Sequence, residues 1–526
     1  SINGSTCFNV TAANVTLNCD GYSITGNNTT STYGFYTSQF NTTIKNCVIS
    51  NFQHGIYYDT ADNGTMQNTS SSTTFTSGHG IYIYNGANYN TISNSTGTSA
   101  SGSGIYLTGS SDSNTMNNVT GTSSSSSGIR LGTSSNNNIT LATGTSNSGF
   151  GMHLSSADSS IISKSTGTSN SNICFHLQIG YYNIFTNVTG SSNTSFGINI
   201  GGGYSNFTNS TGTSNASSGI RLSSTDSILA NSTAITNSST GYALNVSQTT
   251  AVSNNIISNV TLINPIGGLI LLNSLSGNNT FYWNNFTPTT GSYVNDTNGS
   301  NYYNTTLSGH GEGNIYANVI NGSVQILGTS LSTYGSGLYY GTGGSGYPYN
   351  NSTAGGKLSG NVVDYAPLTS SQHLQCSNLS TAGQTYNMTT NLSISGSTCF
   401  NVTAANVTLD CAGYSITGNN ATGTYGVYST QFNSTIKNCV ISNFQHGVYF
   451  DTADNGTIQN DTANSTHSTG VGIYLYNGAN YNTISNSTGT SGSYPGIYLA
   501  SSSNNQITNS TGISTSNFAI YLTSST

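Results

Sequence analysis

Charge is what this chain lacks most. Of its 526 residues only 4% are Asp, Glu, Lys or Arg, and six are basic, against about a quarter charged in an ordinary soluble domain. Six cations over this length cannot neutralise a phosphate backbone, which excludes nucleic acid as a partner. Runs rich in Ala, Leu, Glu and Lys are missing, which removes coiled coils and helical bundles. No stretch approaches about 18 consecutive apolar residues, so nothing reads as a membrane-spanning helix. Proline is limited to five residues, and Glu312 is the single glutamate. A polysaccharide lyase or hydrolase needs clustered carboxylates, usually with a base beside them. Here the acids are dispersed, so the chain reads as a non-enzyme with no resident cofactor. Disorder is excluded by what is present: 33% of positions are hydrophobic, and the 35 tyrosines recur at regular intervals rather than being diluted away.

Repetition is abundant at two scales. SINGSTCFNVTAANVTLNCDGYSITGNN at Ser1 returns as SISGSTCFNVTAANVTLDCAGYSITGNN at Ser393, and NCVISNFQHG occurs at both Asn46 and Asn438. The second copy stops at Thr526 partway through the module, and HLQCSNLSTAGQTYNMTTNL before Ser393 has no counterpart before Ser1. The expectation is a window on a longer tandem array, or ends completed by a neighbouring subunit. Within each copy, a glycine followed by apolar, variable and apolar residues recurs at Gly55, Gly80, Gly104, Gly128, Gly151, Gly197, Gly219 and Gly241, in steps of 22 to 25 residues with Cys174 in one glycine place. The second copy repeats it at Gly447, Gly472 and Gly496, with Ala519 in the next glycine place. Such a period means a solenoid. Between the motifs lies a second strand-like segment, NTISNSTGTS or NQITNSTGIS, of alternating apolar and polar residues. Short alternating strands, turns of Gly, Asn and Ser, and no crossover helices give an all-β parallel β-helix.

Strand alternation sends Ile105 and Leu107 of one motif into the bore and Tyr106 outward. The outward position then reads Tyr57, Tyr82, Tyr106, Arg130, His153, His176, Asn199 and Arg221 along the first copy, and Tyr449, Tyr474, Tyr498 and Tyr521 along the second. Stacked coils place these about 5 Å apart. The stripe reads as a β-propensity ladder, as a packing surface for another rod, or as a sugar-stacking surface. His153 and His176 would need a third ligand to hold a metal. Asp or Asn follows each motif, at Asp62, Asn88, Asp112, Asn136 and Asp158 for instance, which reads as a turn ladder because these residues tolerate left-handed backbone. Asp59 with Asp62, repeated as Asp451 with Asp454, is the calcium candidate, although calcium takes six to eight oxygens.

The eight cysteines look like a disulfide framework of a secreted protein rather than a metal site. The expected bridges are Cys19 with Cys47, Cys411 with Cys439, and Cys376 with Cys399, which leaves Cys7 without the equivalent partner. Asn-x-Ser/Thr sequons recur throughout, at Asn9, Asn14, Asn41, Asn63, Asn94, Asn118, Asn187, Asn209, Asn231, Asn304, Asn406, Asn433, Asn455, Asn486 and Asn509. They predict a dense coat of N-linked glycans on an extracellular protein, supplying the solubility that charge does not.

NVTLDCAGYSITG followed by TIKNCVISNFQHGVYF and then GIYL and NTISNSTG coils resembles the right-handed parallel β-helix repeats of the pectate-lyase-like superfamily, particularly NosD-like and related archaeal surface proteins. The resemblance implies a right-handed, extracellular rod, with residues 1–279 as the first β-helix copy, 280–373 as an irregular β-rich closing block, and 374–526 as the start of a second copy. The fold by itself supplies no function. The function expected from the whole sequence is a structural subunit of a glycosylated filament or cell-surface layer, with itself as partner through ends and sides. A carbohydrate-binding adhesin using the Tyr stripe is the first alternative, and a secreted polysaccharide lyase or hydrolase the second.

Overall fold

One coil shows how the rest are built. Ile105–Leu107 forms its first strand, Thr115–Asn117 its second and Thr120–Ser123 its third, before Ile129–Gly132 opens the next coil. Each strand pairs in parallel with its equivalents one coil away: Tyr106 with Tyr82 and Arg130, Met116 with Ile92 and Ile139, Gly121 with Gly97 and Gly144. The computed structural model describes residues 1–335, 337–371 and 374–525. It continues this pattern along both copies.

The sequence reading gave each repeat two strand-like segments, and the structure has three. In NTMNNVTGTS the break falls at Asn118, whose φ of 53° is left-handed, so the chain turns a corner between the second and third strands. Asparagine is among the few residues that take this conformation at low cost. Asn94, Asn187, Asn209 and Asn231 turn the same corner in other coils. The side chains also bond along the axis: Asn118 Nδ2 donates to Asn94 Oδ1 at 2.8 Å.

The bore is filled as alternation predicts. Ile105, Leu107 and Met116 are wholly buried, as are their equivalents in neighbouring coils. The motif glycine has a packing reason. A Cβ on Gly104 would lie 2.3 Å from the Thr122 nitrogen and 2.5 Å from the Gly97 carbonyl oxygen, and one on Gly97 would lie 2.2 Å from the Gly104 carbonyl oxygen. First and third strands therefore meet backbone to backbone. At the corner between first and second strands runs a buried polar column, Asn90, Asn114, Asn137, Ser160, Asn183. Each side-chain oxygen accepts the N–H of the residue one coil earlier, as Asn114 Oδ1 does from Asn90 at 2.8 Å.

Two compact units are present. Ser1–Ile326 with Ser332–Thr369 form one, and Leu327–Leu331 with Ser370–Thr526 the other. In the first, fourteen strands make the first sheet and twelve the second; in the second, the three sheets have seven, six and six. Residues 280–369 lie almost wholly within the first unit and carry the irregular elements: the short helix Ala317–Ile320 and antiparallel pairs such as Thr305–Leu307 with His310–Glu312. Its buried Asp364 ends a polar column, accepting from the Asn314 N–H at 2.9 Å. No helix among the described residues is long and apolar enough to cross a membrane.

Candidate functional site

The expected stripe assembles. Tyr57, Tyr82 and Tyr106 stand in register, with ring centroids 5.0 and 5.5 Å apart and planes within 18°. The Arg130 guanidinium lies over the Tyr106 ring at 5.0 Å. Tyr449, Tyr474, Tyr498 and Tyr521 repeat the stack at 5.0 to 5.2 Å. Arg221 instead covers Phe196 and donates Nε–H to the Ser247 carbonyl at 3.1 Å. Rings stacked on one another offer solvent their edges and hydroxyls. A sugar needs a ring face, so within the stripe itself the geometry favours the ladder over the sugar platform.

A second column beside the stripe was not anticipated. Tyr33, His54 and His79 precede the motif glycines, and His446 repeats the position. His54 Nδ1 accepts the His79 N–H at 3.0 Å, His79 Nδ1 accepts the Ser103 N–H at 2.9 Å, and His446 Nδ1 accepts the Val471 N–H at 3.1 Å. Burial, with His79 adding for His54, holds the imidazole of His54 down to about 3 and that of His79 to about 4. These histidines stay neutral and serve as acceptors. The signal was legible, since His-Gly recurs before the apolar pair. His153 and His176 point outward yet are buried under Phe150, and they stack on each other at 5.0 Å.

The right handed beta helix region family matches residues 33–177 and 405–526, just over half of the chain. The chain belongs to this family. No curated protein matches the β-helix chain as a relative. Among solved structures it is similar to the PL6 family alginate lyase AlyGC, at 10% identity over 96% of this chain and 86% of that one with a TM-score of 0.22. It is also similar to a tailspike protein of E. coli bacteriophage HK620 in complex with pentasaccharide, at 12% identity over 90% and 73% with a TM-score of 0.22. A third likeness is to the Streptococcus pneumoniae surface protein and adhesin PfbA, at 10% identity over 84% and 91% with a TM-score of 0.18. At such scores these likenesses say nothing about ligand or reaction.

In the β-helix the three expected disulfides, Cys19–Cys47, Cys376–Cys399 and Cys411–Cys439, are formed. Cys7 is half-buried and unbonded, and Cys174 is buried, its thiol pushed up to about 12 by burial. The acidic ladder is real: Asp62 Oδ1 accepts from the Asn88 N–H at 2.7 Å, Asn88 Oδ1 from Asp112 at 2.6 Å, and Asp112 Oδ1 from Ser135 at 2.6 Å. The left-handed residue is more often the next one, Asn63, Tyr89 or Ser113. Asp59 is engaged separately, accepting from the Tyr36 hydroxyl at 3.2 Å. Both acids of the calcium candidate thus accept from protein donors, and no group of three or more His, Cys, Asp or Glu gathers among the described residues.

Of the fifteen named sequon asparagines all but Asn304 are exposed, and all but Asn9 and Asn304 have φ between 48° and 62°. At the corner between second and third strands each letter has a structural reason. Asparagine takes the left-handed turn, the middle residue (Ser95, Val119, Val188 or Ser210) is buried, and threonine starts the third strand. The fold accounts for the sequon at this corner before any glycan is invoked.

A different aromatic patch lies exposed. Tyr182 and Tyr204 are 61% and 51% exposed and stack at 5.3 Å, beside the exposed Tyr181 and Ile179. Both hold left-handed backbone, at φ 60° and 52°, a conformation that costs a bulky residue about 1 to 3 kcal/mol.

Proposed function

We propose that this β-helix chain is a structural, non-catalytic subunit of an extracellular, glycosylated filament or surface layer that grows by coil-on-coil stacking. The observation that supports this reading is how a repeated module seats a coil. In the second unit Ser377–Leu379 pairs in parallel over Phe400–Val402, Phe400 is wholly buried and Cys376 bonds Cys399. The first copy repeats the seat residue for residue at Cys7, Phe8, Asn9 and Val10, so the module is built to take a further coil at this face, from the same polypeptide or from another copy. Parallel coil-on-coil pairing extends a solenoid, and a contact that does not close makes a filament. The three disulfides fit an oxidising, extracellular setting. Negative-stain electron microscopy of the purified chain tests this. Unbranched fibres or a lattice, lost on Phe8→Asp, are expected; discrete particles at all concentrations would overturn it.

The exposed Tyr182–Tyr204 pair favours a second reading, a carbohydrate-binding adhesin, because unlike the Tyr57 stripe this pair stands out into solvent. Glycan-array binding that disappears on Tyr182→Ala and survives Tyr106→Ala is its test.

A further inference from the structure

The third face presents something the other two do not. Its strands read TGTS at Thr96–Ser99, Thr120–Ser123, Thr143–Ser146, Thr166–Ser169 and Thr211–Ser214, and TGSS at Thr189–Ser192. Glycine and the last serine are buried in every one, while the first and third residues, all threonine but Ser191, reach solvent. The register is residue for residue across all six coils, so two straight columns form, one from Thr96 to Thr211 and one from Thr98 to Thr213 with Ser191 as its one change. Neighbours lie about 4.8 Å apart along the axis and roughly 6.7 Å apart across each strand. Adjacent hydroxyls come within bonding reach, Thr168 Oγ1 donating to Thr145 Oγ1 at 3.1 Å. Neither column contains a charge or a ring.

The grid is also stiff. Behind it, added Cβ atoms on Gly97, Gly121 and Gly144 would sit 2.2 to 2.3 Å from the carbonyl oxygens of Gly104, Gly128 and Gly151. The sheet is thus seated backbone on backbone at its glycines, and its inward serines are pinned to backbone, as Ser99 Oγ donates to the Gly78 carbonyl at 2.6 Å and Ser123 Oγ to the Gly102 carbonyl at 2.7 Å. Threonine's β-branch limits χ1 as well. The result is a regular, uncharged, two-dimensional array of hydroxyl and methyl pairs.

We propose that this face binds ice. Each threonine contributes one hydroxyl that can take a lattice position of water and one methyl that orders water beside it, and the two spacings are close to oxygen repeats on the prism face of hexagonal ice. A single such contact is weak. Twelve positions held rigid engage a solid together without further ordering cost, which is where multivalent gain comes from. A dissolved sugar would call for an exposed ring face or charge-assisted bonds, and this face offers neither. The second unit carries TGTS at Thr488–Ser491 followed by TGIS, too short an array, so the activity resides in the first unit.

The test is thermal hysteresis and ice-recrystallisation inhibition of the purified intact chain, measured before and after enzymatic removal of any N-glycans, since Asn94 and Asn118 border the grid. Faceted crystals and arrested growth are expected. Thr145→Lys and Thr166→Lys, each at the centre of the grid, should each cut the hysteresis about tenfold or more with circular dichroism unchanged. Asn117→Lys, on the exposed second face, should leave it intact. Round, unhindered crystals with folded protein in both glycan states would overturn the proposal. Equal loss in Asn117→Lys, or no loss in the two threonine variants, would overturn it too.

Discussion

Replacing Asn114 with alanine strikes the buried polar column where its bookkeeping is simplest. Asn114 is 1% exposed, its Oδ1 accepts the Asn90 N–H at 2.8 Å, and its Nδ2 donates to the Ala87 carbonyl at 3.1 Å. Alanine removes both, leaving a buried donor and a buried acceptor unpaired. Each orphaned group costs about 1 to 3 kcal/mol, so the local loss is about 2 to 6 kcal/mol. Asn114→Ser is the built-in control. Serine holds the equivalent place at Ser160, where its oxygen accepts from the Asn137 N–H at 3.2 Å, so this variant keeps the first bond, loses the second, and should cost about 1 to 3 kcal/mol. Solenoids open by coils rather than all at once, so the assay is residue-resolved hydrogen exchange, read at the Asn90 amide. Protection there should collapse in the alanine variant and persist in the serine variant. An alanine variant whose Asn90 amide exchanges as slowly as in the native chain would refute the reasoning, because the column would then be incidental to the coil.

Other outcomes follow from the same contacts. Native thiol labelling should spare the buried Cys174 until the chain is unfolded. Cys411→Ser with Cys439→Ser, opening a loop with a separation of 28 residues, should cost about 3 to 4 kcal/mol on the loop-entropy account; unchanged melting would contradict it. The neutral histidines give acid lability. Their folded-state values lie below the ordinary 6.5, at about 3 for His54 and His176 and about 4 for His79, His153 and His446, each through burial first. Their contribution is therefore complete above pH 6.5 and is lost progressively as pH falls toward 3, so melting temperature should drop across that window. His54→Gln should flatten part of the drop. Asp461 runs the opposite way: burial raises it to about 8, so its contribution is complete below about pH 4 and lost as pH rises through 8. Asp461→Asn should stabilise the chain at pH 9 by on the order of 3 kcal/mol and change nothing at pH 4.

What was legible depended on periodicity. The glycine motif alone placed Tyr57, Tyr82 and Tyr106 in one line and put Ile105 and Leu107 inside, because a solenoid converts sequence period directly into spatial register. Cys19–Cys47 and Cys411–Cys439 were legible because duplication shows which cysteines travel together, and Cys376–Cys399 because its separation of 23 residues is about one coil. The third strand was not, since NTMNNVTGTS keeps its alternation across the corner and only the left-handed Asn118 reveals the turn. The buried Asn90–Asn114–Asn137 column was missed for a related reason: asparagine in this sequence is so common that the buried ones look like the exposed ones. The sequons at that corner looked like modification signals alone, whereas the corner demands Asn, a buried residue, then Thr.

The scarcity of charge, first read as excluding partners, follows from the fold itself. In-register parallel stacking sets every side chain about 4.8 Å from its equivalents above and below, so a charge copied with the repeat meets its own kind twice. The acidic ladder avoids this by alternation: Asp62, Asn88, Asp112, then the Ser135–Asn136 turn, then Asp158. Where a second charge does enter an adjacent coil it is opposite, as in Lys437 with Asp410 at 3.1 Å. Asn88→Asp breaks the rule with almost no change in shape. Its Oδ1 can still accept from the Asp112 N–H, but three carboxylates now follow one another. At this spacing each new like-charge pair costs about 1 kcal/mol in a water-like dielectric and a few times more near the protein surface, so the variant should lose about 2 to 4 kcal/mol at pH 7 in low salt. Most of that should return in 1 M salt, where the screening length is about 3 Å. A loss that persists unchanged in high salt would mean the asparagine amide, and not the missing charge, is what the ladder selects.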